Sequence, residues 1–301
     1  MTDVSFLSIS HTVAISSGTL LVTGGSSCIG AWVVKRAVDR GYSVVAAVLF
    51  SVRIDTQEGF LFNRFPNTME KSYVLVPVIE KEGAYNEVVK HVDAIIHAAS
   101  PVIFRGMNPK ITLVIESLPD FHPKAVLRPT IRGALGILES AHKYGKNLKR
   151  VVLTSCSTAI GDAIVRDGKP VRDETVWNPR ATTEVEARGK GAGPVVVYAA
   201  KHKPSWDLVT LLPPYIWGPY IHQPGKPFFG SSPGILLEYV LDRPDTSGAC
   251  FGSSAEVRDT ANIHILALEH PDVGGERALI DTDPFAGKDV YDIFNSAVFQ
   301  I

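Results

Sequence analysis

The sequence predicts an α/β fold: a doubly wound parallel sheet with helices on both faces, followed by a small C-terminal lobe. Three observations predict it. The stretch Thr19–Gly30 passes from an apolar run through a glycine-rich turn into a helical pattern. Further apolar runs follow at 43–48, 73–78, 93–100, 150–157 and 206–212, with helix-period segments between several of them. Beyond residue 219 that alternation loosens into loops, with a helix at about 259–269, a short strand at Ala278–Ile280 and a helix near 288–296. Strand alternating with helix means parallel strands joined by crossovers.

The totals are consistent with this. A chain of 301 residues can bury a large core. A formal charge of −1 and 45% hydrophobic residues give no sign of disorder, a nucleic-acid surface or a polyanionic partner. The three cysteines, Cys28, Cys156 and Cys250, show neither metal-ligand nor disulfide spacing, which fits a reducing compartment. No basic leader and no membrane-length apolar stretch is present, so a cytoplasmic protein with no membrane partner is expected.

In chain order, residues 1–17 read as a frayed N-terminal extension. Thr19–Val22 is the first strand. Ile29, Trp32, Val33 and Ala37 recur at helical spacing, and Gly41 stands where a left-handed cap would fall. Strand, glycine turn and helix form the first unit of a Rossmann-like dinucleotide-binding domain, here 18–219. Gly24 permits the tight turn, the helix start faces a pyrophosphate, and Gly30 lets the helix pack closely. The middle glycine of the usual pattern is missing, with Ser27 and Cys28 in the places it would occupy. Gly24, Ser27, Cys28, Ile29 and Gly30 are the expected cofactor contacts of this turn.

The run Ser43–Val48 ends without the acid that would hold a ribose 2′-hydroxyl, and Arg53 lies just beyond. An arginine there favours a 2′-phosphate, hence NADP over NAD; a solvated loop charge is the other reading. Tyr73–Val78 is a third strand, followed by a helix presenting Tyr85, Val88, Val89 and Val92. Asp93–Ser100 is a fourth, and its small Ala98 and Ala99 would let a cofactor lie flat on the backbone. His97 is expected to pack within that strand. Residues 101–128 read as irregular, and a helix with Ile131, Leu135, Leu138 and Ala141 starts after Pro129 and stops at Gly145. The fifth strand ends in Thr154, Ser155, Cys156 and Ser157. Residues 161–196 read as surface loops. The sixth strand, Trp206–Leu212, leads into Pro213, and Thr154 and Pro213 join the expected cofactor contacts. Tyr215 and Trp217 either line a pocket or pack in the core, and His222 lies in a loop. Arg258 and Asp259 are read as an ion pair securing the lobe. Right-handed crossovers place the ends of strands one, four and five along one edge.

Together LLVTGGSSCIGAWVVKRAVDRGYSVVAAV, KEGAYNEVVKHVDAIIHAASP, GALGILESAHKYGKNLKRVVLTS, WDLVTLLPPYIWGP and EVRDTANIHILALEHPDVGGERALI resemble the extended short-chain dehydrogenase/reductases of the NAD-dependent epimerase/dehydratase superfamily. The nearest resemblance is to the group of dihydroflavonol reductases, cinnamoyl-CoA reductases and fungal methylglyoxal or aldehyde ketoreductases. The resemblance implies hydride transfer between NADPH and a small-molecule carbonyl substrate, in a monomer or homodimer, with 220–301 as an early-ending substrate lobe. It also implies a tyrosine that protonates the carbonyl oxygen, at Tyr198, and a lysine that lowers the tyrosine's pKa. A serine would bind the substrate oxygen. A free phenol has a pKa of about 10, so a neighbouring ammonium is needed for proton exchange near neutrality.

The sequence departs from that pattern in several places. The family's lysine follows its tyrosine by four residues in a long helix; here Lys201 follows Tyr198 by three, Lys203 by five, and Pro204 intervenes. Cys156 takes the place of the catalytic serine, with Ser155 and Ser157 beside it, and a thiol is a weak donor. A side chain at the missing glycine would crowd the pyrophosphate or demand an unfavourable backbone. Val78 replaces the aspartate that touches adenine, and insertions lie at Leu49–Val52 and around Ile111–Phe121. The alternative is therefore a catalytically impaired relative, an altered-splice form or pseudoenzyme, that retains at most weak nucleotide binding. No metal ligand set is expected.

Overall fold

The computed structural model describes residues 15–48, 73–100, 123–160, 164–166, 169–171, 173–178, 198–199, 201–221, 250–280 and 285–286, with single residues at 232 and 296. Strand β1 (Thr19–Thr23) leads into helix α1 (Cys28–Asp39) and β2 (Ser43–Val48). Then follow β3 (Tyr73–Leu75), β4 (Ala94–His97), α2 (Pro123–Tyr144), β5 (Arg150–Thr154) and a short antiparallel pair, β6 (Ile164–Arg166) with β7 (Lys169–Val171). The chain continues through β8 (Asp207–Leu212), β9 (Tyr215–Trp217), β10 (Cys250–Gly252) and β11 (Ser254–Glu256). It closes with α3 (Val257–Glu269), β12 (Arg277–Leu279) and β13 (Phe285–Ala286). The main sheet has the order β12-β8-β5-β4-β1-β2-β3, and every pairing in it is parallel. That is the doubly wound order, with the reversal beside β1.

Alternation along each strand divides the core in two. Leu20 and Val22, Ile96, Val152, and Val209 with Leu211 face α1 and α3. Leu21, Ile95, Val151 with Leu153, and Leu208 face α2 and Tyr85. Period-2 side chains buried on both faces are what a parallel sheet requires. Helix α1 ends as its sequence predicts: Gly41 has φ 84, its N–H donates to Val38 O at 2.9 Å, and the Tyr42 N–H donates to Ala37 O at 3.1 Å. This pair of bonds is the Schellman stop, which glycine adopts without steric cost.

The structure differs from expectation in five places. The segment before β4 is not an α-helix but a run of turns and one 3-10 turn, Val88–His91; Gly83, at φ 73, interrupts any longer helix. It still buries Tyr85, Val89 and Val92. Helix α2 starts at Pro123, so Pro129, expected just ahead of the helix, lies inside it, where the ring leaves one i→i−4 bond unmade. Part of 161–196 forms the β6–β7 pair rather than loop. The end of the supposed frayed extension is docked: Ile15 is buried, its N–H donates to Leu268 O at 3.0 Å, and its carbonyl accepts from the Tyr42 hydroxyl at 2.5 Å. Finally, 254–280, which the sequence assigns to the C-terminal lobe, supplies α3 and β12 to the main sheet domain. Arg53, His222, the insertions at Leu49–Val52 and Ile111–Phe121, and most of the helix expected near 288–296 lie outside the described residues. No helix among the described residues is long and apolar enough to cross a membrane.

Candidate dinucleotide and carbonyl site

The carboxyl edge of β1, β4, β5 and β8 gathers most of the expected site. Gly24 has φ 68 and its N–H donates to Ala47 O at 2.9 Å. A Cβ there would stand 3.0 Å from both N and Cα of Ala99, so the turn lies directly on the Ala98–Ala99 backbone. A Cβ on Gly30 would come within 2.7 Å of the Gly24 carbonyl carbon and closer still to its oxygen. Both glycines are thus fixed by close backbone approach, as their sequence positions imply. The close approach sets the start of α1 directly above the ends of β1 and β4, and the free N–H groups of a helix start suit a pyrophosphate.

Ser27 corrects one expectation. Its backbone is ordinary extended chain, φ −77 and ψ 170, so the missing glycine imposes no strain. The hydroxyl turns back to accept the Gly30 N–H at 3.0 Å, making Ser27 the N-cap of α1. Cys28 opens the helix; burial first, and then the Glu256 carboxylate, push its thiol up to about 11. It therefore stays neutral and adds no charge at the start of α1. Glu256 is itself held at the start of α3, accepting the Arg258 N–H at 2.7 Å and Arg258 Nε at 2.8 Å. The ion pair expected of Arg258 is thus made to Glu256. Ile29 packs half-buried against the α1–α3 core, and Trp32 Nε1 donates to Pro219 O at 2.8 Å.

Two buried histidines brace this edge from beneath. His97 is a packed strand residue, as expected: Nδ1 lies 2.8 Å from the Thr23 hydroxyl, which also accepts the Ala99 N–H at 3.2 Å. His264, which the sequence did not single out, lies on α3. Its Nδ1 is 2.7 Å from Thr260 O, a pure acceptor, so Nδ1 carries the proton and Nε2 accepts from the Thr154 hydroxyl at 2.7 Å. Thr154, an expected cofactor contact, thereby has its hydroxyl proton committed to α3. Burial lowers both histidines to about 4. Between that value and about 6.5 the unfolded chain binds more protons, so stability falls as pH drops through this window. Urea midpoints are expected to decline from pH 7 to pH 5, with a slope of up to about 1.4 kcal/mol per pH unit for each histidine. A His264→Gln variant should show a shallower decline.

The strand ends are set by backbone bonds. Ser155 N–H donates to Leu211 O at 2.7 Å and Ser157 N–H to Pro213 O at 2.9 Å, so Pro213 contributes a carbonyl to the edge. Cys156, between them, is extended and half-buried. Tyr215 lies on the neighbouring strand end; burial first, then the Cys156 thiol, raise its phenol pKa.

Tyr198 and Lys201 are not brought to this edge. Helix α2 descends from the carboxyl to the amino side: Gly133 abuts Ile79, Ser140 Oγ donates to Asn86 Oδ1 at 2.9 Å, and Lys90 Nζ lies 5.6 Å from the Tyr144 ring. Tyr198 sits beside Glu139, stacked at 4.3 Å on His202, which packs 5.7 Å from His142. At 1.5 Å per residue, that level is about 9–14 Å below Gly133. The cause is covalent: Tyr198, Ala199, Lys201 and His202 are helical, Lys203 turns at φ 46, and β8 begins at Asp207 on the amino side. Burial and the Glu139 carboxylate raise the Tyr198 phenol pKa, opposite to the effect of an adjacent lysine. Lys201 is exposed. No group of three or more potential metal ligands occurs among the described residues.

Residues 20–280 match a family described as the NAD dependent epimerase/dehydratase family. Ketoreductase azaE of Aspergillus niger is 32% identical, over 89% of this chain and 79% of its own. A putative NADPH-dependent methylglyoxal reductase, GRP2 of Candida albicans, is 28% identical over 95% of this chain and 84% of its own. Among solved structures, yeast methylglyoxal/isovaleraldehyde reductase Gre2 complexed with NADPH superposes with a TM-score of 0.76 at 23% identity, covering 93% of this chain and 82% of that one. Vestitone reductase from alfalfa gives 0.67 at 24% identity, covering 94% and 83%. The structural likenesses establish the shared fold, and the sequence match reaches from β1 past β12. On that span the protein belongs to the NAD dependent epimerase/dehydratase family.

Proposed function

We propose that this chain is an NADPH-dependent carbonyl reductase acting on aldehydes or ketones. The observation that carries the proposal is the Gly24–Gly30 turn, folded onto Ala98–Ala99 beside the polar ends of β5. When bound there, NADPH supplies a hydride to a carbonyl carbon. The chain's own part is to hold the pyrophosphate on the α1 start and to keep Cys28 neutral. Cys156, at the end of β5, stands on the proposed substrate side. Relatives named as NADPH-dependent reductases favour NADP(H) over NAD, in line with Arg53 and the missing acid after β2. The cysteine pattern supports a cytoplasmic location, and the proposed assembly is a monomer or homodimer without nucleic-acid partners.

A second reading, a nucleotide-binding relative without reductase activity, is favoured by the level of Tyr198. Tryptophan fluorescence separates the two. Saturable quenching by micromolar NADPH is expected, and no quenching at high micromolar cofactor removes the first reading. With binding established, oxidation of NADPH over a panel of aldehydes and α-dicarbonyls supports the reductase; saturable binding without any turnover assigns the second reading.

A further inference from the structure

The formal charge of −1 hides an uneven distribution over the surface. Six exposed lysines, Lys90, Lys143, Lys146, Lys149, Lys201 and Lys203, gather around the amino ends of β4, β5 and β8, on the side of the sheet opposite the glycine turn. Short contacts hold their elements together. Lys90 and Lys143 place their ammoniums over the same Tyr144 ring, 5.6 and 5.2 Å from its centre. His142 and His202 pack ring against ring at 5.7 Å, which sets Lys201 and Lys203 beside the last turn of α2. The Asp207 N–H donates to Lys149 O at 3.1 Å, joining the approach to β8 to the approach to β5.

Most of the nearby acids are already engaged. Glu87 pairs with Lys90 at 2.7 Å, the Asp93 carboxylate accepts the Thr19 N–H at 2.8 Å, and Asp207 is buried against Arg150. Glu139 is exposed beside Tyr198, while Asp272 and Glu276 stand further along the edge, ahead of β12. Among the described residues Lys146, Lys149, Lys201 and Lys203 make no ion pair. Crowding like charges is unfavourable, and a surface of opposite sign relieves it. We propose that this amino edge is a docking surface for an acidic segment of a partner protein.

The chemistry of the patch selects among polyanions. Its exposed cations are lysines, point charges on flexible stems that adapt to carboxylates, and the arginine beside them, Arg150, is buried. Its rings are already engaged, Tyr144 by two ammoniums and Tyr198 by His202 stacked at 4.3 Å, so neither is offered as a platform for bases. Among the described residues the exposed large hydrophobics lie on β3, in the turn after it and on α3, which leaves the patch without an apolar wedge for a lipid surface. An occupant of this edge leaves the glycine turn open, and the inference stands apart from the reductase reading.

The test uses the full chain and a fluorescein-labelled peptide of ten glutamates, read by anisotropy at about 50 mM salt. Saturable binding is expected, weakening at least about tenfold as salt rises to about 200 mM. Lys146→Glu/Lys149→Glu should bind at least about tenfold more weakly than the parent. The control Lys35→Glu/Lys81→Glu carries the same change in net charge on α1 and after β3, and should stay within about threefold. Urea midpoints matching the parent's show that both variants are folded. No binding by the parent, or a patch variant that binds as the control does, overturns the proposal. So does tighter binding, at equal salt, of a DNA duplex or of phosphatidylserine vesicles, which assigns the edge to nucleic acid or to a lipid surface instead.

Discussion

Replacing Arg150 with methionine is expected to cost about 3–5 kcal/mol of folding free energy, read as a shift of the urea midpoint. Arg150 opens β5 and is wholly buried, opposite Asp207, which opens β8. Their pairing is bidentate, Nε to Oδ1 at 2.6 Å and Nη2 to Oδ2 at 2.7 Å. The same guanidinium also closes α3, with Nη1 donating to Ala267 O at 2.9 Å and His270 O at 2.6 Å. A cation at a helix C-terminus satisfies its last carbonyls and opposes its dipole. Methionine fills the space but leaves the Asp207 carboxylate and those carbonyls buried without a donor, and an uncompensated buried charge is what makes such a loss large. Adding Asp207→Leu to the same chain should restore part of the stability. If the single variant unfolds at the parental midpoint, this account of the amino edge fails.

Gly30→Ala is expected to weaken NADPH binding at least tenfold, about 1.4 kcal/mol, and to cost about 3 kcal/mol in stability. The added methyl would meet the Gly24 carbonyl, which is backbone and cannot swing away. Helix α1 must then lift from the turn, and the donors at its start move off the phosphate position. Gly41→Ala is the control: φ 84 makes it strained by about 1 kcal/mol, yet a Cβ there meets nothing within 4 Å. Its NADPH quenching should match the parent. Equal binding by Gly30→Ala and Gly41→Ala would mean that the turn does not hold the nucleotide.

The parts legible in the sequence were those governed by local rules. The strand–turn–helix of 19–41, the glycine stop at 41, the period-2 burial of β1, β4, β5 and β8, and the contact of Gly24 with Ala98–Ala99 all follow from spacing and residue size. Ser27 shows where a local rule misleads. Counting glycines suggests a strained or crowded turn, whereas the serine has found a second use as a helix cap. Arg150 with Asp207, and Thr154 with His264, carry no such local signal. Each pair is more than 50 residues apart in sequence, and only the register of β5 with β8 and the packing of α3 brings it together.

The same division settles the reactive groups. The sequence by itself determined the fold, the family and the glycine turn, because backbone geometry and apolar periodicity are encoded within a few residues of where they act. It also named Tyr198, because a motif is matched by order along the chain. Tertiary structure decided the level at which that tyrosine sits: with β8 starting nine positions later, at 207, Tyr198 is held beside Glu139 and stacked on His202, away from the glycine turn. Strand direction, a property of the assembled sheet, sets that level.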